Sequence, residues 1–201
     1  MLKKFRLFSG VLILMIISGC GADLPIETNM SETVHDFSYT NQDEQTVSLE
    51  DLKGEWWIAD FVFTNCETVC LPMTTNMSHL QDQLQEEDAE IQLVSFSVDP
   101  DYDTTDVLKE YGEEYDADFS SWHFLTGYDF KTIKELSIKS FRSFVKEPEY
   151  GDDQVTHGTN FYLVDPEGDI VKSYDGVKSN SMDDIVQDVL LLKENNEDIG
   201  G

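Results

Sequence analysis

Residues 56–73 read WWIADFVFTNCETVCLPM, and this stretch decides how the chain is built. Its first nine residues form a nearly continuous apolar run, the pattern of a strand covered on both faces. Beyond it, Met73, Met77, Leu80 and Leu84 recur at helical spacing over roughly 70–86, with Pro72 tolerable in a first turn. A buried strand that passes through a short loop into a helix suits a sheet with helices packed on it. In such sheets chemistry collects at the carboxyl ends of central strands. Cys66 lies just past such an end, and Cys70 falls where the helix begins.

Outward from there the pattern alternates. FSYT (37–40) and TVSL (46–49) predict short strands around a polar turn, followed by a helical turn closed by Gly54. IQLVSFSV (91–98) predicts a second buried strand, ended by Asp99-Pro100. Thr104 or Thr105 can cap a helix running to about Tyr115, Trp122 to Leu125 reads as a strand, and Asp129 can cap a helix carrying Ile133, Leu136 and Phe141. Residues 142–159 are polar, with Pro148 and Gly151, a loop long enough to suspect function. NFYLVD and DIVKSYDGV flank Pro166-Glu167-Gly168 as a hairpin, and a last helix carries Ile185, Val189 and Leu192. The expected fold is α/β: a mixed sheet flanked by helices, with an N-terminal β-hairpin extension. One domain is expected over 35–193, with a loose tail at 194–201.

The first 20 residues differ from the rest. Lys3, Lys4 and Arg6 precede the apolar run 12–17 and then Ser18-Gly19-Cys20, the pattern of an export signal. The run is too short for a comfortable membrane span. ISGC resembles the bacterial lipobox, which implies cleavage after residue 19 and lipid on Cys20. Residues 20–34 then read as a lipidated cysteine and a flexible tether holding the domain on the outer face of the cytoplasmic membrane. With Cys20 lipidated, the three cysteines of the chain reduce to the pair Cys66 and Cys70. Outside the cytoplasm that pair can close into a disulfide, though over so short a loop it is a poor staple.

The net charge is −28, and loss of residues 1–19 takes it to −31. Such a surface repels nucleic acid, which excludes a nucleic-acid role.

A helix N-terminus beside the cysteines favours thiolate, the form that attacks disulfides and the form that binds soft metals. From the residues alone both chemistries stay open. Cys66 and Cys70 are candidates for a redox pair or for metal ligands, and a third group must decide. Of the four histidines, His35 and His79 read as surface residues and His123 as lying on the polar face of a short strand. His157 closes the long loop directly before the buried strand NFYLVD. Asp99 and Asp101 can serve as outer partners of a site or as loop caps. Met73 and Met77 read as core fillers at helical spacing.

FTNCETVCLPM, SVDPDYDTTDVLKEYG, WHFLTG and VTHGTNFYLVDPEG, in that order, resemble the Sco/SenC family over roughly residues 36–192. These are membrane-tethered, thioredoxin-like proteins that bind copper and help assemble cytochrome c oxidase. The resemblance implies one copper, as copper(I) or copper(II), held by Cys66, Cys70 and His157. It implies that the protein supplies the dinuclear centre of oxidase subunit II, with an extracytoplasmic thiol reductant as a second partner. The alternative it leaves is a thiol–disulfide oxidoreductase that reduces the cysteines of that acceptor. Asn65, Glu67 and Leu71 stand where the family more often has His, Pro and Pro. Glu67 places a negative charge beside the sulfurs, which favours a bound cation and raises the thiol pKa values of an empty site. A thiol peroxidase is the weakest reading, because no lysine or arginine falls between Lys53 and Lys109 to activate a cysteine. Structural zinc is disfavoured too, since three protein ligands leave a position open.

Overall fold

The computed structural model describes residues 24–66, 70–89, 91–150 and 153–195. The leader, Cys20 with its expected lipid, Glu67, and the tail beyond Asn195 lie outside those residues, as does the side chain of Cys70.

The elements run β1 (Glu32–Thr33), β2 (Ser38–Asn41), β3 (Thr46–Ser48), α1 (Leu49–Leu52), β4 (Trp57–Val62), α2 (Cys70–Glu86), β5 (Gln92–Ser97), α3 (Thr105–Glu114), β6 (Trp122–Thr126), α4 (Phe130–Phe141), β7 (Val145–Lys146), β8 (Thr156–His157), β9 (Asn160–Val164), β10 (Asp169–Asp175) and α5 (Asn180–Glu194). Eight strands form one sheet in the order β1-β10-β9-β4-β5-β6-β2-β3. The three central strands β4, β5 and β6 are parallel, and antiparallel strands flank them on both sides. The expected mixed sheet and its N-terminal hairpin, β2–β3, are both present.

All six residues of β4 are buried, which is why that run shows no alternation. Its side chains still divide by face. Ile58 and Val62 pack with Met73, Met77, Leu80 and Leu84 of α2 and with Ile185, Val189 and Leu192 of α5. Trp57, Ala59 and Phe61 pack on the opposite side with Val94, Phe96, Ile133, Leu136 and Phe141. Both faces of the centre are therefore covered, and the ends of β4 and β5 are where polar groups can collect. The caps follow local chemistry: Thr132 N donates to Asp129 Oδ1 at 2.8 Å at the start of α4. Ser48 and Asp51 close a reciprocal capping box on α1.

Two stretches depart from expectation. Residues 24–34 are not a free tether. Ile26 is buried in the α2-side core, with Leu24 packed against it, and β1 pairs antiparallel with β10. Asn29 extends that edge by a side chain: its Oδ1 accepts from Ser173 N at 2.8 Å, while its Nδ2 donates to Ser173 O at 3.0 Å. An amide that imitates a strand's donor and acceptor can dock an otherwise patternless segment. The second is the long loop 142–159, whose ends form the short antiparallel ladder β7–β8 and pair Val145 with His157. Val145 and Val155 are buried in the α4-side core and anchor that ladder.

Candidate metal centre

Beyond β4 the chain leaves the sheet through Phe63, Thr64, Asn65 and Cys66, and each of the first three fixes the loop. Phe63 is buried. Thr64 is held by Asp103, a carboxylate with no exposed surface: Thr64 Oγ1 donates to Asp103 Oδ1 at 2.6 Å, and its backbone N–H donates to the same group at 3.3 Å. Asp103 Oδ2 accepts from Ser97 Oγ at 2.5 Å, which ties this loop to the end of β5. Burial pushes the Asp103 carboxyl above the ordinary carboxylate range, while these hydrogen bonds pull it back down. Cys66 sits half-buried beside the α4-side aromatic core. Cys70 opens α2, whose first turn carries no acidic side chain to oppose a thiolate there.

His157 reaches the same end of the sheet from the other side. It is only 4% exposed, and its ring stands edge-on to Phe63 at 5.8 Å. The contact between its Nδ1 and Gly158 O, at 2.8 Å, decides the tautomer. A carbonyl can only accept, so Nδ1 carries the proton and the lone pair of the neutral ring lies on Nε2. A backbone carbonyl on one ring nitrogen is the usual device for presenting the other to a metal. Gly158 is required here by space, because a Cβ at that position would stand 2.4 Å from Ser143 Oγ.

A clamp joins the two loops. Asn65 Nδ2 donates to Asp153 Oδ2 at 2.9 Å, and Gln154 Nε2 donates to Asn65 O at 2.9 Å. The residue just before Cys66 is thus bonded to the segment that leads into His157. The same hydrogen bonds hold the Asp153 carboxyl below its ordinary range. Replacing Asn65 by alanine is expected to loosen that alignment and weaken copper binding by about tenfold, the low end for loss of an outer contact. A copper competition titration showing wild-type affinity would contradict it.

The other sequence candidates fall elsewhere. Asp101 is exposed, and Asp99 closes its turn through its backbone carbonyl, accepting from Tyr102 N and Asp103 N. Of the two roles open to Asp99, loop capping is the one its contacts show. Met73 and Met77 are fully buried among the residues beneath α2. His79 is exposed, and His35 bonds Ser140 Oγ at 3.1 Å. His123 meets Asn41 at 3.4 Å, and burial pulls its pKa down. Among the described residues no three His, Cys, Asp or Glu side chains gather into a metal-holding group. The donors that fit a soft metal are the Cys66 thiol and the oriented His157 imidazole, with Cys70 at the head of α2 as the expected third. Asp103 and the Asn65 clamp are functional residues that the sequence reading missed.

A model of the SCO1/SenC family matches residues 26–192. The chain belongs to the SCO1/SenC family. A SCO1/SenC family lipoprotein from Bacillus anthracis is 44% identical, with a TM-score of 0.77 over 81% of this chain and 95% of that one. BsSco, described as a member of the Sco family of cytochrome c oxidase assembly proteins with a disulfide switch, is 47% identical. Its TM-score is 0.75, over 82% of this chain and 95% of that one. Copper-bound ScoI from Arabidopsis thaliana is 27% identical, with a TM-score of 0.67 over 79% of this chain and 98% of that one. The fold is therefore the thioredoxin-like fold of Sco proteins, as the resemblance implied.

Proposed function

We propose that this Sco protein is a copper carrier on the outer face of the cytoplasmic membrane, anchored by lipid on Cys20, and that it supplies the dinuclear copper centre of cytochrome c oxidase subunit II. The observation that carries this reading is the orientation of His157. Its Nδ1 proton is committed to Gly158 O, and the Asn65 clamp draws its loop to that of Cys66. A disulfide oxidoreductase needs no such imidazole. The copper-bound relative supports the cargo, and the oxidase-assembly relative supports the destination.

Two thiolates and one neutral imidazole make a soft, three-coordinate set suited to copper(I) and able to accommodate copper(II). Counting only these groups, the site carries −1 with copper(I) and is neutral with copper(II), so both states are open to it. An incoming thiolate or imidazole of the acceptor can enter the open position while the donor ligands leave. Copper then passes by ligand exchange, without release into solvent. Oxidation of Cys66 and Cys70 to a disulfide abolishes binding, so a thiol reductant on the same side of the membrane is a required partner.

The second reading, reduction of the acceptor's cysteines, is favoured by the disulfide switch of BsSco. It uses both cysteines but not the imidazole. Oxidase assembly in cells carrying His157→Ala, compared with the Cys66→Ser/Cys70→Ser double variant, separates the two. Equal defects are expected for a copper carrier. Near-normal assembly with His157→Ala would leave only the reductase.

A further inference from the structure

Asp60 lies on the central strand β4, has no exposed surface, and faces the side of the sheet covered by α2. Its Oδ1 accepts from Ser95 Oγ at 2.6 Å, and Ser95 in turn accepts from Trp122 Nε1 at 2.9 Å. Its Oδ2 is buried and has no hydrogen-bond partner. A buried carboxyl with one oxygen unsatisfied costs stability, so in a chain that otherwise pairs its interior polar groups it calls for a reason. Its position suggests one. Asp60 is two residues from the end of β4, beneath the sheet end where Cys66 leaves and α2 begins at Cys70.

We propose that Asp60 is the internal proton-exchange group of the cysteine pair, giving a proton to the Cys70 sulfur when the disulfide opens and taking it back when the disulfide closes. This rests on the pair cycling between dithiol and disulfide. When a thiol reductant acts, its thiolate attacks the Cys66 sulfur and forms a mixed disulfide. The Cys66–Cys70 bond breaks, and its electron pair goes to the Cys70 sulfur. Asp60 Oδ2–H supplies the proton, and solvent later reprotonates Asp60. A second thiolate of the reductant resolves the mixed disulfide and expels Cys66 as thiolate. The chain gains two electrons, and the reductant becomes a disulfide. Cys66, half-buried at the loop, is the sulfur open to attack, while its partner at the head of a packed helix needs an internal proton.

Burial pushes the Asp60 carboxyl up to about 7, against the hydrogen bond from Ser95 and the charge of His157, so both protonation states are populated near neutral pH. The other titratable groups on the elements over that face are already engaged. Tyr111 of α3 pairs with Thr74 of α2, Tyr174 of β10 pairs with Asp188 of α5, which also binds Lys172, and Asp103 holds Thr64. His79 of α2 is exposed.

The test uses the full chain, oxidised and purified in mild detergent, and dithiothreitol between pH 5.5 and 9. The rate constant is expressed per thiolate of the reductant. In the wild type it should be high below pH 7 and fall as the pH rises through that value. Asp60→Asn should be at least tenfold slower at pH 6 and flat across the range, since general acid catalysis contributes about a hundredfold or more. Ser95→Ala, which removes the hydrogen bond that favours the anion, should keep the fast rate and move the fall to higher pH. A folded Asp60→Asn chain with wild-type rates and profile would overturn the assignment and leave disulfide cycling standing. If Asp60→Asn does not fold, an unmoved profile in Ser95→Ala overturns it. A wild-type chain that forms no Cys66–Cys70 disulfide would overturn both the assignment and the cycling on which it rests.

Discussion

The His157→Ala chain is expected to bind copper(I) at least a hundredfold more weakly than the wild type while keeping its fold. Loss of a contact outside the ligand set costs about ten- to a hundredfold in metal affinity, and loss of a ligand itself should exceed that. Two thiolates still hold copper(I), so weakened binding rather than none is the outcome for that ion. The structural penalty should be modest. His157 lies in a two-residue strand at the rim of the sheet, and its listed neighbours are the Phe63 ring and the adjacent Gly158 carbonyl. Competition against a copper(I) chelator of known affinity gives the ratio, and circular dichroism checks the fold. An affinity within threefold of the wild type would remove His157 from the ligand set.

The second large effect is on stability and its dependence on pH. Asp60 has its folded pKa raised from an ordinary 3.8 to about 7, so the native state holds a proton that the unfolded chain has lost. Stability therefore falls with rising pH across that window, and is level above it, where both states are ionised. At about 1.4 kcal/mol per unit the loss amounts to about 4 kcal/mol. The opposite sign holds for the carboxyls whose pKa is lowered, such as Asp153, whose contribution is present near neutrality and disappears in acid. Denaturant unfolding of Asp60→Asn and the wild type at pH 4.5 and pH 8 isolates the effect. Relative to the wild type, the variant should gain about 3 to 4 kcal/mol between those two values. A difference that does not change with pH would mean that Asp60 is ionised, or protonated, throughout.

The core of the fold was open to reading because burial writes itself into periodicity. The run at 56–64 and the stripe Met73, Met77, Leu80, Leu84 belong to β4 and α2, and the caps at Asp129 and Thr104 start α4 and α3. Docking of residues 24–34 was not open to reading. It depends on two isolated apolar residues and one asparagine side chain, none of which makes a pattern. The run DPDYD presented three aspartates with nothing local to rank them. Only the turn of the chain after β5 sends Asp103 inward while Asp101 stays in water. Asp60 did leave a trace, as the one charged residue inside an apolar run otherwise fit for burial on both faces. The candidate site divides in the same way. Cys66 and Cys70 announce themselves by proximity in sequence, whereas His157 reaches them through the β7–β8 ladder and the Asn65 clamp.

Copper(II) titration of the reduced chain in detergent, followed by optical absorption, tests the central claim most directly. A site built from Cys66, Cys70 and His157 predicts an intense sulfur-to-copper charge-transfer band that saturates at one equivalent and is lost in His157→Ala. Absence of the band, with rapid closure of Cys66 and Cys70 into a disulfide on addition of copper(II), would contradict a copper carrier and leave a thiol oxidoreductase.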